Sequence, residues 1–88
     1  SNLKWEVLYF NMEKLKEFIE ERVESAEMFA NNYQEVMNCR AIAFGALRFA
    51  EHIGLVSYEE SKEYWEYIWN KFEQIGRNKK DEPKVKVI

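Results

Sequence analysis

Cysteine, proline, histidine and glycine are all scarce in this chain, at one, one, one and three in 88 residues. With Cys39 as the sole thiol, no intrachain disulfide and no thiolate-rich zinc site can form, and a lone thiol suits a reducing, cytoplasmic setting. The single proline, Pro83, lies near the end, so nothing of that kind interrupts a helix before it. Long apolar runs are also missing. Residues 3–10 are apolar but broken by Lys4 and Glu6, and they fall well short of the roughly 20 residues a bilayer crossing needs. No Gly-rich phosphate loop occurs, and neither does a His-Glu zinc helix or a Glu-x-x-His pair of the di-iron bundles. Cys39 and His52 are the only nucleophile and base on offer. On one helix they stand roughly 20 Å apart and about 140° apart around the axis, which excludes a thiol dyad. Cys39 reads as a small core residue, and His52 as a surface side chain favoured by a helix C-terminus. The expectation is a chain without catalytic residues, metal or cofactor, and without membrane contact.

Aromatic rings and charge are what the sequence has in quantity. Fourteen rings, three of them tryptophan, offer a dense core to a chain near the lower size limit for folding alone. Charge divides unevenly. Residues 1–76 hold fourteen acids against eight Lys or Arg, and residues 77–88 hold two against five. We therefore expect one helical domain over 1–76 and a basic, flexible tail over 77–88, with a short edge strand by the last residues as the lesser alternative.

Periodicity predicts an all-α fold, a small three-helix bundle with helices over 11–30, 33–53 and 58–75 and residues 3–10 as a helical or extended strap. Asn11 is the expected N-cap of the first helix, whose apolar arc gathers Met12, Leu15, Phe18, Ile19, Val23, Ala26, Phe29 and Ala30. Asn31-Asn32 offers a turn through left-handed asparagine, with one unbroken helix of about forty residues as the alternative. The second helix is apolar nearly all round and so belongs in the middle. Its Gly45, beside Ala43, Ala46 and Ala50, suggests close approach of a neighbouring backbone. Gly54 fits a helix C′ position, Ser57 and Glu60 form a capping box, and Gly76 is the expected stop of the third helix.

The mixed face of the second helix is the candidate site. Tyr33, Met37, Arg40, Phe44, Arg48 and Glu51 share it, with Tyr67 of the third helix as an accessory, and Arg22 interrupts the apolar arc of the first helix. A strap over 3–10 covers this face in one reading, with the arginines snorkelling. In another it is a self-association surface, where arginine and aromatics are enriched. A third makes it a groove for another protein or a small ligand. The leading expectation is a non-enzymatic protein–protein interaction module that pairs with itself, a homodimer, or with another protein. The alternative uses the acidic stripe of Glu13, Glu17, Glu20, Glu24 and Glu27 to occupy a basic groove on a nucleic-acid-binding protein. Direct DNA binding is disfavoured, because the third helix presents glutamates where a recognition helix needs basic and amide groups.

Overall fold

The computed structural model describes residues 3–79, the Trp5 side chain excepted, and these form three helices with no strand among them: α1 (Leu3–Phe29), α2 (Tyr33–His52) and α3 (Tyr58–Asn78). The bundle is the expected one. Its bounds differ by more than one residue at two places, the start of α1 and the end of α3.

α1 starts eight residues before Asn11, which lies exposed inside the helix instead of capping it. Residues 3–29 contain no glycine or proline and only two β-branched residues before Val23, so nothing stops propagation back to Leu3. The strap is therefore a helical extension. At 27 residues α1 is about 40 Å long, against about 30 Å for the 20 residues of α2. Its first turns overhang, leaving Leu3, Val7, Tyr9 and Phe10 each at least half exposed.

α1 and α2 are separate helices. The break does not use left-handed asparagine, since among the described residues none other than glycine has positive φ. Asn32 is an extended N-cap (φ −156°, ψ 174°), its Oδ1 accepting from the Glu35 N–H at 2.9 Å, while the Glu35 carboxylate accepts from the Asn31 N–H at 2.8 Å. One side chain thus orients each end of the turn, and two otherwise orphan donors are satisfied.

The second turn folds as its residues predict. Gly54 takes φ 79°, its N–H reaching the Glu51 carbonyl and the Leu55 N–H the Ala50 carbonyl at 2.8 Å, which is the Schellman pairing. The Ser57 Oγ accepts from the Glu60 N–H at 3.1 Å, and the Glu60 carboxylate accepts from the Ser57 N–H at 2.7 Å.

α3 does not stop at Gly76 but continues to Asn78, so Arg77 and Asn78 belong to the helix and not to a tail. Past its end, the Lys79 ammonium donates to the carbonyls of Glu27 (2.6 Å) and Ala30 (2.9 Å), closing the frayed terminus of α1. The rest of the expected basic tail, residues 80–88, lies outside the described residues, as does the edge strand considered there.

The core runs along the centre of α2. Val36, Ala43, Leu47 and Ala50 meet Leu15, Ile19, Val23 and Ala26 of α1 and Ile68, Phe72 and Ile75 of α3. Phe18 and Phe29 of the expected α1 arc are not part of it and stand exposed. Cys39 is half-buried against this core.

Candidate interaction surface

Beyond its core stripe α2 offers two further sides, and the structure treats them differently. The side expected to meet a partner is where α3 seats. Phe44 packs on Trp65 with ring centroids 5.4 Å apart, and Trp65 stacks on Trp69 at 5.3 Å with planes 5° apart. The Arg40 guanidinium lies 4.4 Å from the Trp69 ring and donates to the Glu73 carboxylate at 3.3 Å. Tyr33 donates its hydroxyl to the same carboxylate oxygen at 3.2 Å. Met37 packs against the core, and Glu51 accepts from the Ser61 hydroxyl at 3.1 Å. Tyr33, Met37, Arg40, Phe44 and Glu51 are thus engaged within the chain, and only Arg48 of that face points to solvent without a role in the seam. The strap reading of the same face fails too: residues 3–10 continue α1, and among the described residues Leu8 and Tyr9 line a groove at the α2–α3 turn with Gly54, Leu55 and Glu60 instead. The physical reason is on α3. Trp65, Trp69 and Glu73 stand at the edge of its apolar arc, and a flat stacked pair of indoles needs a ring and a cation to rest on. Glu73 is accordingly no member of a solvated glutamate face.

Tyr67 faces α1, donating its hydroxyl to Glu20. Desolvation first, and then that hydrogen bond, push its ionisation up to about 12. Tyr64 nearby is also raised, mainly by burial. Both phenols line a shallow groove between α1 and α3 with Met12, Lys16, Glu60 and Glu63. Tyr67, a neutral donor to Glu20, is suited to holding α3 on α1, and neither phenol is suited to proton transfer at neutral pH.

The acidic stripe of α1 is partly occupied. Lys16 pairs with Glu13 at 3.6 Å, Lys14 with Glu17 at 3.3 Å, and Glu20 serves Tyr67, which leaves Glu24 and Glu27 the exposed members whose side chains make no ion pair. Among the described residues no group of three His, Cys, Asp or Glu could hold a metal ion, and no helix is long and apolar enough to cross a membrane. His52 is exposed in the last turn of α2, and the helix is unbroken between it and Cys39.

The other side of α2 is left open by the described residues. Ile42, Phe49 and Ile53 are 50%, 62% and 58% exposed, and Gly45 lies between the first two. α1 extends the surface with Phe18, which lines one groove together with Leu15, Ala46, Phe49, Ile53 and Leu55. Arg22 sits over the Phe18 ring at 5.0 Å, and its buried Nε has no hydrogen-bond acceptor. Sequence reasoning passed over this face. The signal was present in the spacing 42, 45, 49, 53, a stripe about 140° around the helix from Phe44. Between two apolar sides of one helix, periodicity does not say which is covered. No family model, no curated protein and no solved structure matches this chain.

Proposed function

We propose that this chain is a non-enzymatic interaction module that binds through the outer α1–α2 face, and that the molecule it binds is a second copy of itself. The observation that supports this most directly is the groove holding Phe18, Phe49 and Ile53, an apolar surface toward the α2–α3 turn that nothing among the described residues covers. Singly exposed apolar residues are ordinary, but a contiguous set on one face marks a contact surface. The alternative acidic reading has less behind it, because three of the five stripe glutamates already serve Lys14, Lys16 and Tyr67.

Light scattering after size exclusion tests the proposal across concentration. The expected result is twice the chain mass for the wild type and a monomer of unchanged helicity for Phe49→Asp. Phe49 is largely exposed, so a carboxylate there is tolerated in the free chain and costly in an apolar interface. A wild type that stays monomeric at every concentration overturns the proposal.

A further inference from the structure

Gly45 has no purpose within its own chain. Glycine is the weakest helix former after proline, yet this one sits in the interior of the 20-residue α2. Its backbone does not need it, since among the described residues positive φ occurs at Gly54 alone. Packing does not need it either: a Cβ built at Gly45 meets nothing within 4 Å. What surrounds it outward is apolar and large, with Ile42 three residues before and Phe49 four residues after.

We infer that two copies of the chain pack about a two-fold axis through the Gly45–Ala46 turn, with their α2 helices antiparallel, so that Ile42 of each rests on Phe49 of the other. The inference rests on the self-association proposed above and specifies its geometry. A two-fold centred between positions 45 and 46 sets residue 42 against 49 and residue 38 against 53. The sequence along the face is then large, small, large, and an antiparallel copy complements it. The small pair at the crossing lets the two helix backbones approach, and the flanking Ile and Phe fill the widening space on either side.

Area and charge both favour a second copy as the occupant. The exposed parts of Phe18, Ile42, Phe49 and Ile53, with Val7 and Phe29 in line with Phe18 on α1, amount to roughly 600 Å² of apolar surface per copy, the greater part of the about 800 Å² that each partner of a standard interface contributes. The chain carries a net charge of −3, which opposes pairing. Yet the five stripe glutamates lie about 100° or more around α1 from Phe18, so the acidic stripe points away from the contact, and Glu21, about 60° from Phe18, has the Arg22 guanidinium beside it at 3.7 Å.

Sedimentation equilibrium of the wild type, Gly45→Gln and Phe49→Asp, with oxidation of Gly45→Cys in a Cys39→Ala chain, tests the geometry. Glutamine improves the helix and has open space in the free chain, so Gly45→Gln folds, and its bulk at the crossing weakens the dimer about 10- to 100-fold. The engineered thiol at position 45 links two copies on oxidation, and one at exposed Asn70 on α3, placed by Asn70→Cys in the same Cys39→Ala chain, does not. A dimer as tight in Gly45→Gln as in the wild type, with Phe49→Asp monomeric, overturns the crossing and leaves the face standing. A monomeric wild type overturns both.

Discussion

Replacing Gly76 by alanine sets two effects of known sign against each other. Alanine is favoured over glycine inside a helix by up to about 1 kcal/mol, and Gly76 lies within α3, two residues before its end. Against this, the new Cβ falls 2.8 and 2.9 Å from the Cε2 and Cδ2 of Tyr33 and 3.4 Å from the Cε of Met37. The methionine methyl gives way easily. The tyrosine ring does not, because its hydroxyl is tied to Glu73, which also holds Arg40. Moving the ring by the several tenths of an ångström required strains that hydrogen bond, and overpacking of this kind costs about 1–3 kcal/mol. The expected balance is a loss of about 1–2 kcal/mol, or a midpoint lowered by roughly 4–15 °C for a domain of this size. Thermal unfolding followed by far-UV circular dichroism reads it, at concentrations low enough to exclude association. Removing the ring supplies the control: in a Tyr33→Ala background the Gly76→Ala change becomes neutral or stabilising, a coupling of about 1 kcal/mol or more. Gly76→Ala that stabilises the otherwise unchanged chain refutes the reasoning.

The other consequences concern the joints of the bundle. Lys79→Met withdraws the ammonium from the Glu27 and Ala30 carbonyls; it is expected to cost about 1 kcal/mol and to speed amide exchange in the last turn of α1, and unchanged exchange there counts against the cap. Tyr67 is held neutral to about 12, chiefly by desolvation. Because its folded value is raised, the stability it contributes is complete below the ordinary value near 10 and is lost as pH rises through about 12. An absorbance titration of the phenolates shows this as the latest-ionising tyrosine, lost in Tyr67→Phe while that of Tyr64, which burial also raises, remains, and an unchanged titration refutes it.

The joints where chemistry is local were legible in the sequence. Gly54, Ser57 and Glu60 each act on backbone groups within five residues, so their roles follow from spacing alone. Asn11 misled for the complementary reason: a capping residue caps only where the chain before it is not helical, and residues 3–10 are good enough helix formers to continue. The two glycines were read in exchanged roles. Close approach was expected at Gly45 and a helix stop at Gly76, whereas Gly45 faces open space and Gly76 receives the Tyr33 ring. Which turn of α2 meets α3 depends on partners twenty-odd residues or more away, and a helical wheel holds no such information. The same limit misplaced the candidate face. Arg40 and Phe44 looked like a surface because the rings that cover them, Trp65 and Trp69, stand at the margin of their own helix's apolar arc.

The two sides of α2 differ in the kind of force they offer, and that difference bears on function. Toward α3 the contacts are directional: a carboxylate takes donors from Tyr33 and Arg40, and the guanidinium lies over an indole. Such a seam fixes how α3 sits, since a displaced helix leaves a half-buried charge unpaired. The outer side has only dispersion and dehydration to offer, through Ile42, Phe49 and Ile53. Meanwhile the core is thin for a chain so rich in rings. Among the described residues thirteen make up the buried core; four are alanine and one, Phe72, is aromatic, out of thirteen rings described. Apolar area left outside so small a core contributes nothing to folding the single chain. In a domain of this size it becomes stabilising when a second molecule covers it, by the same mass action that any ligand of the folded state exerts. Directional contacts inside and undirected ones outside therefore suit a subunit that folds in one way by itself and gains stability by pairing.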